Sequence, residues 1–325
     1  MINTEQCKQQ YEEKLFSLEK FAKSIVTQFN EIFENEKIEL GFPLQMRVKK
    51  WSSISEKIDS KRFNVKKSVL ELQDLIGLRI ILLSLSDLNK IDDILRKDFD
   101  FVKSYNPAEK LNFDQFGYNS LHYVLRIPHS WKSVPSFKVI EDFQFEIQVR
   151  TLSQHIWAET SSAFEYKTEQ NIPRSLLRSV GRISALLETV DFEIDRLIIA
   201  RNEYKQELEN NEISFNDENL NVDLLESLLI KNIGDRRFSE NLHYDLILNE
   251  LKSNNINTQS DFLNVISKYK NELRNSESQY FESIKYSEDE SEKMIKKRGY
   301  YMDYLGAIRF MLRKEISGYQ PILKM

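Results

Sequence analysis

Between Tyr11 and Ile32 the apolar positions Tyr11, Leu15, Leu18, Ala22, Ile25, Phe29 and Ile32 alternate steps of four and three, which predicts one amphipathic helix. Gly41 and Pro43 are expected to punctuate its end. From Val69 to Phe145 the pattern changes to short apolar runs between polar segments. Leu78 to Leu83 reads as a buried strand, Asp87 to Lys97 as a helix and Ser120 to Ile127 as another strand. Phe137 to Val149 reads as one long strand, or as a hairpin interrupted near Glu141-Asp142. Thr151 and Gln154 carry the spacing of a capping box and open a helix that runs through Trp157. Strands interspersed with helices predict an α/β or α+β domain with one main sheet.

After Pro173 the pattern is helical again. Leu176, Val180, Ile183, Leu187, Val190, Ile194 and Leu197 keep the spacing of a heptad seam, which either packs on the chain's own sheet or first helix or forms an oligomer interface. The polar, Asn-rich residues 206–221 are expected to be a linker. Beyond them, helical patterns at Asp223 to Ile230, Leu242 to Leu251, Phe262 to Leu273 and Tyr301 to Leu312 mark a separate helical module over 222–325.

Composition narrows the choice further. Only 8 Gly and 6 Pro in 325 residues disfavour linker-dominated and turn-dense β architectures. The single cysteine, Cys7, excludes an intrachain disulfide framework and a cysteine-based metal cluster, and fits a reducing, cytoplasmic setting. No apolar run is long enough for a membrane span, and the first ten residues lack the apolar core of a signal peptide. A net charge of -5 argues against a surface that coats nucleic acid, yet the average hides a local concentration. From Arg47 to Lys67, eight basic residues face only Glu56 and Asp59.

That basic window is the first candidate for chemistry. Arg47, Lys49 and Lys57 with Ser53 supply cations and a hydroxyl suited to a polyphosphate. The second candidate is Phe145 to Thr151, where a period of two puts Glu146, Gln148 and Arg150 on one strand face and Phe145, Ile147 and Val149 on the other. The third is Gly117 to His122. Gly117 permits a tight loop, Tyr118 offers a ring for base stacking, and Ser120 and His122 can hydrogen-bond a ligand. Asp74 precedes Gly77 and the strand that carries Arg79, at an expected sheet edge. There is no phosphate loop of the Walker type, no Gly-x-Gly-x-x-Gly and no zinc-protease motif. The four histidines lack metal-ligand spacing, so carboxylates are the better candidates for Mg²⁺, a hard cation that accompanies phosphates.

The order of these motifs resembles the synthetase domain of the RelA/SpoT family: Arg-x-Lys with a downstream Ser and Lys, then Asp74 to Ile80, then Gly117 to His122, then Glu146 to Thr151 followed by Trp157. The resemblance spans residues 40–167, within a synthetase domain over 1–205. It implies an α+β fold with a nucleotidyltransferase-like mixed sheet flanked by helices and followed by the all-helical module. It also implies transfer of the β,γ-pyrophosphate of ATP to the 3′-hydroxyl of GDP or GTP. On this resemblance Arg47, Lys49 and Lys57 match ATP-phosphate contacts, with Ser53 and Arg79 on the same side. Asp74 and Glu146 match the magnesium-associated, catalytic carboxylates, Tyr118 the ring that stacks on guanine, and Ser120, His122, Gln148 and Arg150 the acceptor side.

Two departures bear on the acceptor. Asp114-Gln115-Phe116 stands where many relatives carry a basic residue before the Gly-Tyr pair, and Ser161-Ser162 stands where a Glu-His pair is common. An acceptor without a nearby 5′-polyphosphate does not need that cation. The alternatives are therefore a toxin or defence-type enzyme that pyrophosphorylates the tRNA 3′ CCA end, and a degenerate nucleotide-binding signalling domain. The flanking helices are candidates for homo-oligomer contacts.

Overall fold

The structure is a computed structural model that describes residues 4–106, 120–135, 137–138, 143–164, 173–210, 219–236 and 244–322. It divides into two compact units, residues 1–199 and 200–325. Among the described residues, no helix is long and apolar enough to cross a membrane.

In the first unit, α1 (Thr4–Asn35) precedes five strands: β1 (Leu40–Val48), β2 (Ile76–Leu82), β3 (Asp100–Tyr105), β4 (Leu121–Arg126) and β5 (Phe145–Thr151). Helices α2 (Trp51–Asp59), α3 (Asp87–Asp98), α4 (Leu152–Ala163) and α5 (Arg174–Asn210) complete the order. The strands form one sheet in the order β1-β2-β5-β4-β3. The β2–β5 pair is parallel and the other three pairs are antiparallel, so the sheet is mixed and the domain is α+β.

One face of the sheet is the core. Leu78 and Ile80 of β2, Tyr123 and Leu125 of β4, and Phe145, Ile147 and Val149 of β5 are buried with Leu18, Phe21, Ile25 and Phe29 of α1. The Phe21 ring meets Phe145 edge-on, with centroids 5.9 Å apart. The period-two pattern dictates the rest: with these residues packed beneath α1, Gly77, Arg79, His122, Glu146, Gln148 and Arg150 lie on the opposite face.

Three elements differ from expectation. Gly41 and Pro43 lie inside β1 and do not end a helix. Pro43 is tolerated because β1 is an edge strand whose pairing is irregular between Phe42 and Gln45. A side chain at Gly41 would approach the Leu82 carbonyl oxygen to 3.2 Å, which explains the glycine. The polar edge strand β3 was not foreseen, and β5 starts only at Phe145, although Phe137 and Phe143 are buried in the core. Glu141-Asp142 lies outside the described residues.

The heptad seam of α5 is not packed on the sheet. Leu176, Ile183, Val190 and Leu197 are exposed, whereas Ser184 and Asp191 are buried. What α5 turns inward is a hydrogen-bonding face. Asp191 accepts the Thr151 hydroxyl at 2.5 Å, and Asp195 accepts the Ser84 hydroxyl and the Ser86 backbone N–H. Thr151 and Ser86 are the N-caps of α4 and α3, so two carboxylates one turn apart answer two helix N-termini. The Thr151–Gln154 capping box forms as expected.

The second unit begins within α5. Residues 206–210, expected in a linker, are helical, because Leu208 is buried in the second core; residues 211–218 lie outside the described set. Helices α6 (Val222–Ile233), α7 (Tyr244–Ser253), α8 (Gln259–Ser283), α9 (Glu290–Arg298) and α10 (Tyr304–Glu315) follow, and all but α9 contribute to a core that includes Leu225, Leu229, Phe262, Ile266 and Met311. Buried Glu250 accepts from Arg309, the Tyr319 hydroxyl and the Ile322 N–H, and buried Glu277 accepts from Arg236 and the N–H groups of Tyr301 and Met302. Helix α9 was not foreseen, since it buries no residue; its signature is its caps, Asp289 and the left-handed Gly299, with an acidic first turn and a basic last turn.

The Asp191 contact can be tested without interference from the second unit, because all three tryptophans, Trp51, Trp131 and Trp157, lie in the first. Asp191→Ala is expected to destabilise the first unit by about 1–3 kcal/mol, as the Thr151 hydroxyl loses its buried charged partner. The check is a lower midpoint in urea unfolding followed by tryptophan fluorescence.

Candidate functional site

The register of the sheet assembles the site from residues far apart in sequence. One lateral row runs through all five strands: Gln45 on β1 opposite Arg79 on β2, Arg79 beside Gln148 on β5, Gln148 opposite His122 on β4, and His122 opposite Tyr105 on β3. A second row, two residues away, carries Arg47, Gly77 and Glu146 on β1, β2 and β5. Gly77 leaves the middle of that row open. A methyl group there would lie 3.7 Å from the Arg47 side chain. The opening belongs to a cavity of about 290 Å³ lined by Gln45, Met46, Arg47, Gly77, Leu78, Arg79 and Gln148. Two guanidinium groups and two amides around such a space suit a polar, anionic ligand.

Beyond the end of β1 lies a cation cluster. Lys49 and Lys57 each place their ammonium 2.6 Å from the same oxygen, Oδ2 of Asp74. Lys49 is held by its backbone, its carbonyl accepting the Tyr11 hydroxyl at 3.0 Å and its N–H donating to Leu75 at 2.8 Å. Lys57 lies on α2, in the turn after Ser53, whose side chain is exposed. Burial alone would raise the Asp74 pKa, but the hydrogen bonds from the two ammonium groups outweigh it and hold the carboxyl below its ordinary range. Burial lowers the Lys49 pKa despite Asp74. Oδ1 of Asp74 is buried and takes no hydrogen bond. A hard, oxygen-seeking cation fits that atom. Among the described residues no group of three or more His, Cys, Asp or Glu side chains is placed to hold a metal, so any cation here would draw further oxygens from a substrate.

Glu146, in the second row, is the other candidate carboxylate of this face. Its side chain is 9% exposed and accepts hydrogen bonds from three neighbours. Oε1 takes the Tyr105 hydroxyl at 2.7 Å and His122 Nδ1 at 3.0 Å, and Oε2 takes Gln148 Nε2 at 3.2 Å. Because a carboxylate only accepts, Nδ1 carries the imidazole proton. The Gln148 amide is oriented by Arg150, whose Nη2 donates to Oε1 at 2.8 Å and leaves Nε2 for Glu146. Burial pushes the Glu146 pKa up, but the bonds from His122, Tyr105 and Gln148 prevail and bring it down to about 2.

The remaining expected residues divide. Arg79 reaches across the row to Gln45 at 3.1 Å and to Glu159 on α4 at 2.9 Å. Arg150 is almost completely buried and acts through Gln148. Ser120 is buried, and its hydroxyl donates to the Val149 carbonyl at 3.4 Å, a contact internal to the sheet. Ser161 sits on α4 and donates to the Ala158 carbonyl. Tyr118 and Asp114-Gln115-Phe116 lie outside the described residues. No described hydrogen bond joins Asp74 to Glu146. Sequence reading missed Tyr105, Gln45 and Glu159. A signal for Tyr105 existed in the apolar, β-favouring Phe101-Val102 and Tyr105 just before Asn106-Pro107, but Lys103 and Ser104 between them concealed the strand.

Comparison with known proteins places these residues in a family. The model of the region found in RelA/SpoT proteins matches residues 46–171. The chain is 30% identical over 155 residues to the GTP pyrophosphokinase YjbM of Bacillus subtilis, covering 46% of this chain and 69% of the relative. It is 28% identical over 151 residues to the GTP pyrophosphokinase YwaC of the same organism, covering 45% and 68%. Among solved structures, small alarmone synthetase 1 from Bacillus subtilis aligns with a TM-score of 0.48 at 26% identity, over 59% of this chain and 98% of that one. With the matched span running from the strand that carries Arg47 to the helix beyond Glu146, the chain belongs to the RelA/SpoT family.

Proposed function

We propose that the chain is an ATP-dependent pyrophosphotransferase that moves the β,γ-pyrophosphate of ATP to the 3′-hydroxyl of GDP or GTP. The observation that carries this reading is the cation cluster. Two ammonium groups share one carboxylate oxygen beside a strand that also presents Arg47 into a cavity. A polyphosphate entering there would take over the lysines from Asp74 and release that carboxylate. The names of the two curated relatives, both GTP pyrophosphokinases, support the same donor chemistry and point to guanosine nucleotides as acceptors.

In this reading the acceptor 3′-oxygen forms a bond to the β-phosphorus of ATP, the bond from that phosphorus to the oxygen bridging the α-phosphate breaks, and AMP leaves. Arg47, Lys49 and Lys57 neutralise the charge on the phosphates as it shifts. Asp74 and Glu146 would hold Mg²⁺, which when bound neutralises phosphate charge. Glu146, with a pKa near 2, is a weak base. It therefore aligns the hydroxyl from the outset and receives the proton only as the new P–O bond makes that proton acidic. In a loose phosphoryl-transfer transition state, positioning and charge stabilisation matter more than early deprotonation.

The acceptor is tested by incubating the purified chain and Mg²⁺ with ATP labelled in its terminal phosphates and, separately, GDP, GTP or tRNA. Label on GDP or GTP is expected. Label on tRNA alone replaces this reading by modification of the CCA end, and tight ATP binding without transfer to any acceptor replaces it by a signalling role. Glu146→Ala and the isosteric Glu146→Gln are both expected to lower transfer by about 10²–10⁴-fold while the tryptophan emission stays native.

A further inference from the structure

Tyr105 is the last residue of β3 and the only member of the five-strand row whose ring stands at the sheet edge, where it is 44% exposed. Its partner across the strands is His122, and the two rings stack with centroids 4.8 Å apart at an interplanar angle of 28°. The hydroxyl passes beyond His122 and reaches Glu146, one strand further on and in the neighbouring row. A half-exposed tyrosine gains little from burial. Its hydroxyl makes a short hydrogen bond to Glu146 Oε1, at 2.7 Å.

The two oxygens of Glu146 are held unequally. Oε1 accepts both Tyr105 at 2.7 Å and His122 at 3.0 Å, whereas Oε2 accepts only Gln148 at 3.2 Å. Two donors on one oxygen fix the carboxylate plane and leave the other oxygen with free lone-pair capacity. We propose that Tyr105 is a positioning residue for the transfer reaction: by holding Oε1, it and the His122 ring under it present Oε2 of Glu146 to the acceptor hydroxyl. Tyr105 does not itself touch the reacting atoms. This inference rests on the proposed transfer reaction, because it assigns Tyr105 its role through Glu146.

The test uses the full-length chain and whichever acceptor the wild type accepts. Tyr105→Phe keeps the ring and its stack on His122 and removes only the hydroxyl. Transfer by this variant is expected to fall about tenfold in kcat, with KM for ATP within a factor of two of wild type. In the Glu146→Gln background the same change is expected to alter the residual rate by less than a factor of two, since the group it acts through is already gone. A structural defect would multiply with Glu146→Gln and would not vanish. A readout independent of turnover is urea unfolding followed by tryptophan fluorescence, where the midpoint shifts of the two single variants should fail to add in the double variant. An active wild type with an unchanged Tyr105→Phe kcat, or with additive effects in both cycles, overturns the inference and leaves the proposed reaction standing. A wild type that transfers nothing to GDP, GTP or tRNA overturns the reaction, and this role with it.

Discussion

The polar face of this sheet depends on a buried negative charge. Glu146 is sealed from water by its own strand neighbours, and a carboxylate in that position persists only where donors replace its hydration. The donors come from three different strands: Tyr105 from β3, His122 from β4 and Gln148 from β5 itself. Tyr105 and His122 can meet Glu146 only if β3, β4 and β5 pair in register. A slip of one residue between β4 and β5 would turn His122 into the apolar core beneath α1 and leave the charge unanswered. The requirement for apolar packing on one face and the requirement for hydrogen bonds on the other therefore enforce the same alignment.

The cation cluster around Asp74 follows a different principle. There the charges are not matched one to one: two lysines converge on a single oxygen of Asp74, and Arg47, two residues before Lys49, borders the open space over Gly77. Two cations close together repel each other, and a carboxylate that satisfies both only partly offsets this. The arrangement is held by rigid parts, with the Lys49 backbone pinned between α1 and the residue before β2, and Lys57 fixed on a short helix. Its excess of positive charge is stored in the fold and is available to an anion. This also resolves the apparent contradiction in the chain's net charge of -5, since the acid residues that outweigh the basic window lie elsewhere.

How much of this was legible in the sequence depended on how local the cause was. The alternation of Glu146, Gln148 and Arg150 with Phe145, Ile147 and Val149 is a property of one strand, and it read correctly, as did the capping box at Thr151. Gln45 and Tyr105 were invisible because their strands lie at the two sheet edges, where one side of the ladder is unpaired and apolar alternation is weak. Pro43 was read as a terminator because its tolerance depends on an irregular pairing with β2, a non-local fact. Asp74 could be named from its motif, but its two lysine partners at 25 and 17 residues' distance could only be seen in three dimensions.

Helix α5 shows the same limit in a more instructive form. Its heptad of apolar residues is real, yet the face that docks is the polar one. The reason lies in the architecture of the sheet. After the two parallel strands β2 and β5 the chain enters the helices α3 and α4 within a few residues, so two helix N-termini with unsatisfied N–H groups come together at one end of the sheet. A leucine seam laid across them would bury donors without partners. Aspartates at 191 and 195, spaced by one turn, match the two N-caps instead. Burial raises the Asp191 pKa, with Asp195 close by adding to it, so the docking is held by hydrogen bonds at some electrostatic cost. Hydrophobic periodicity can identify a helix, but which face it buries is decided by what the surface beneath it needs.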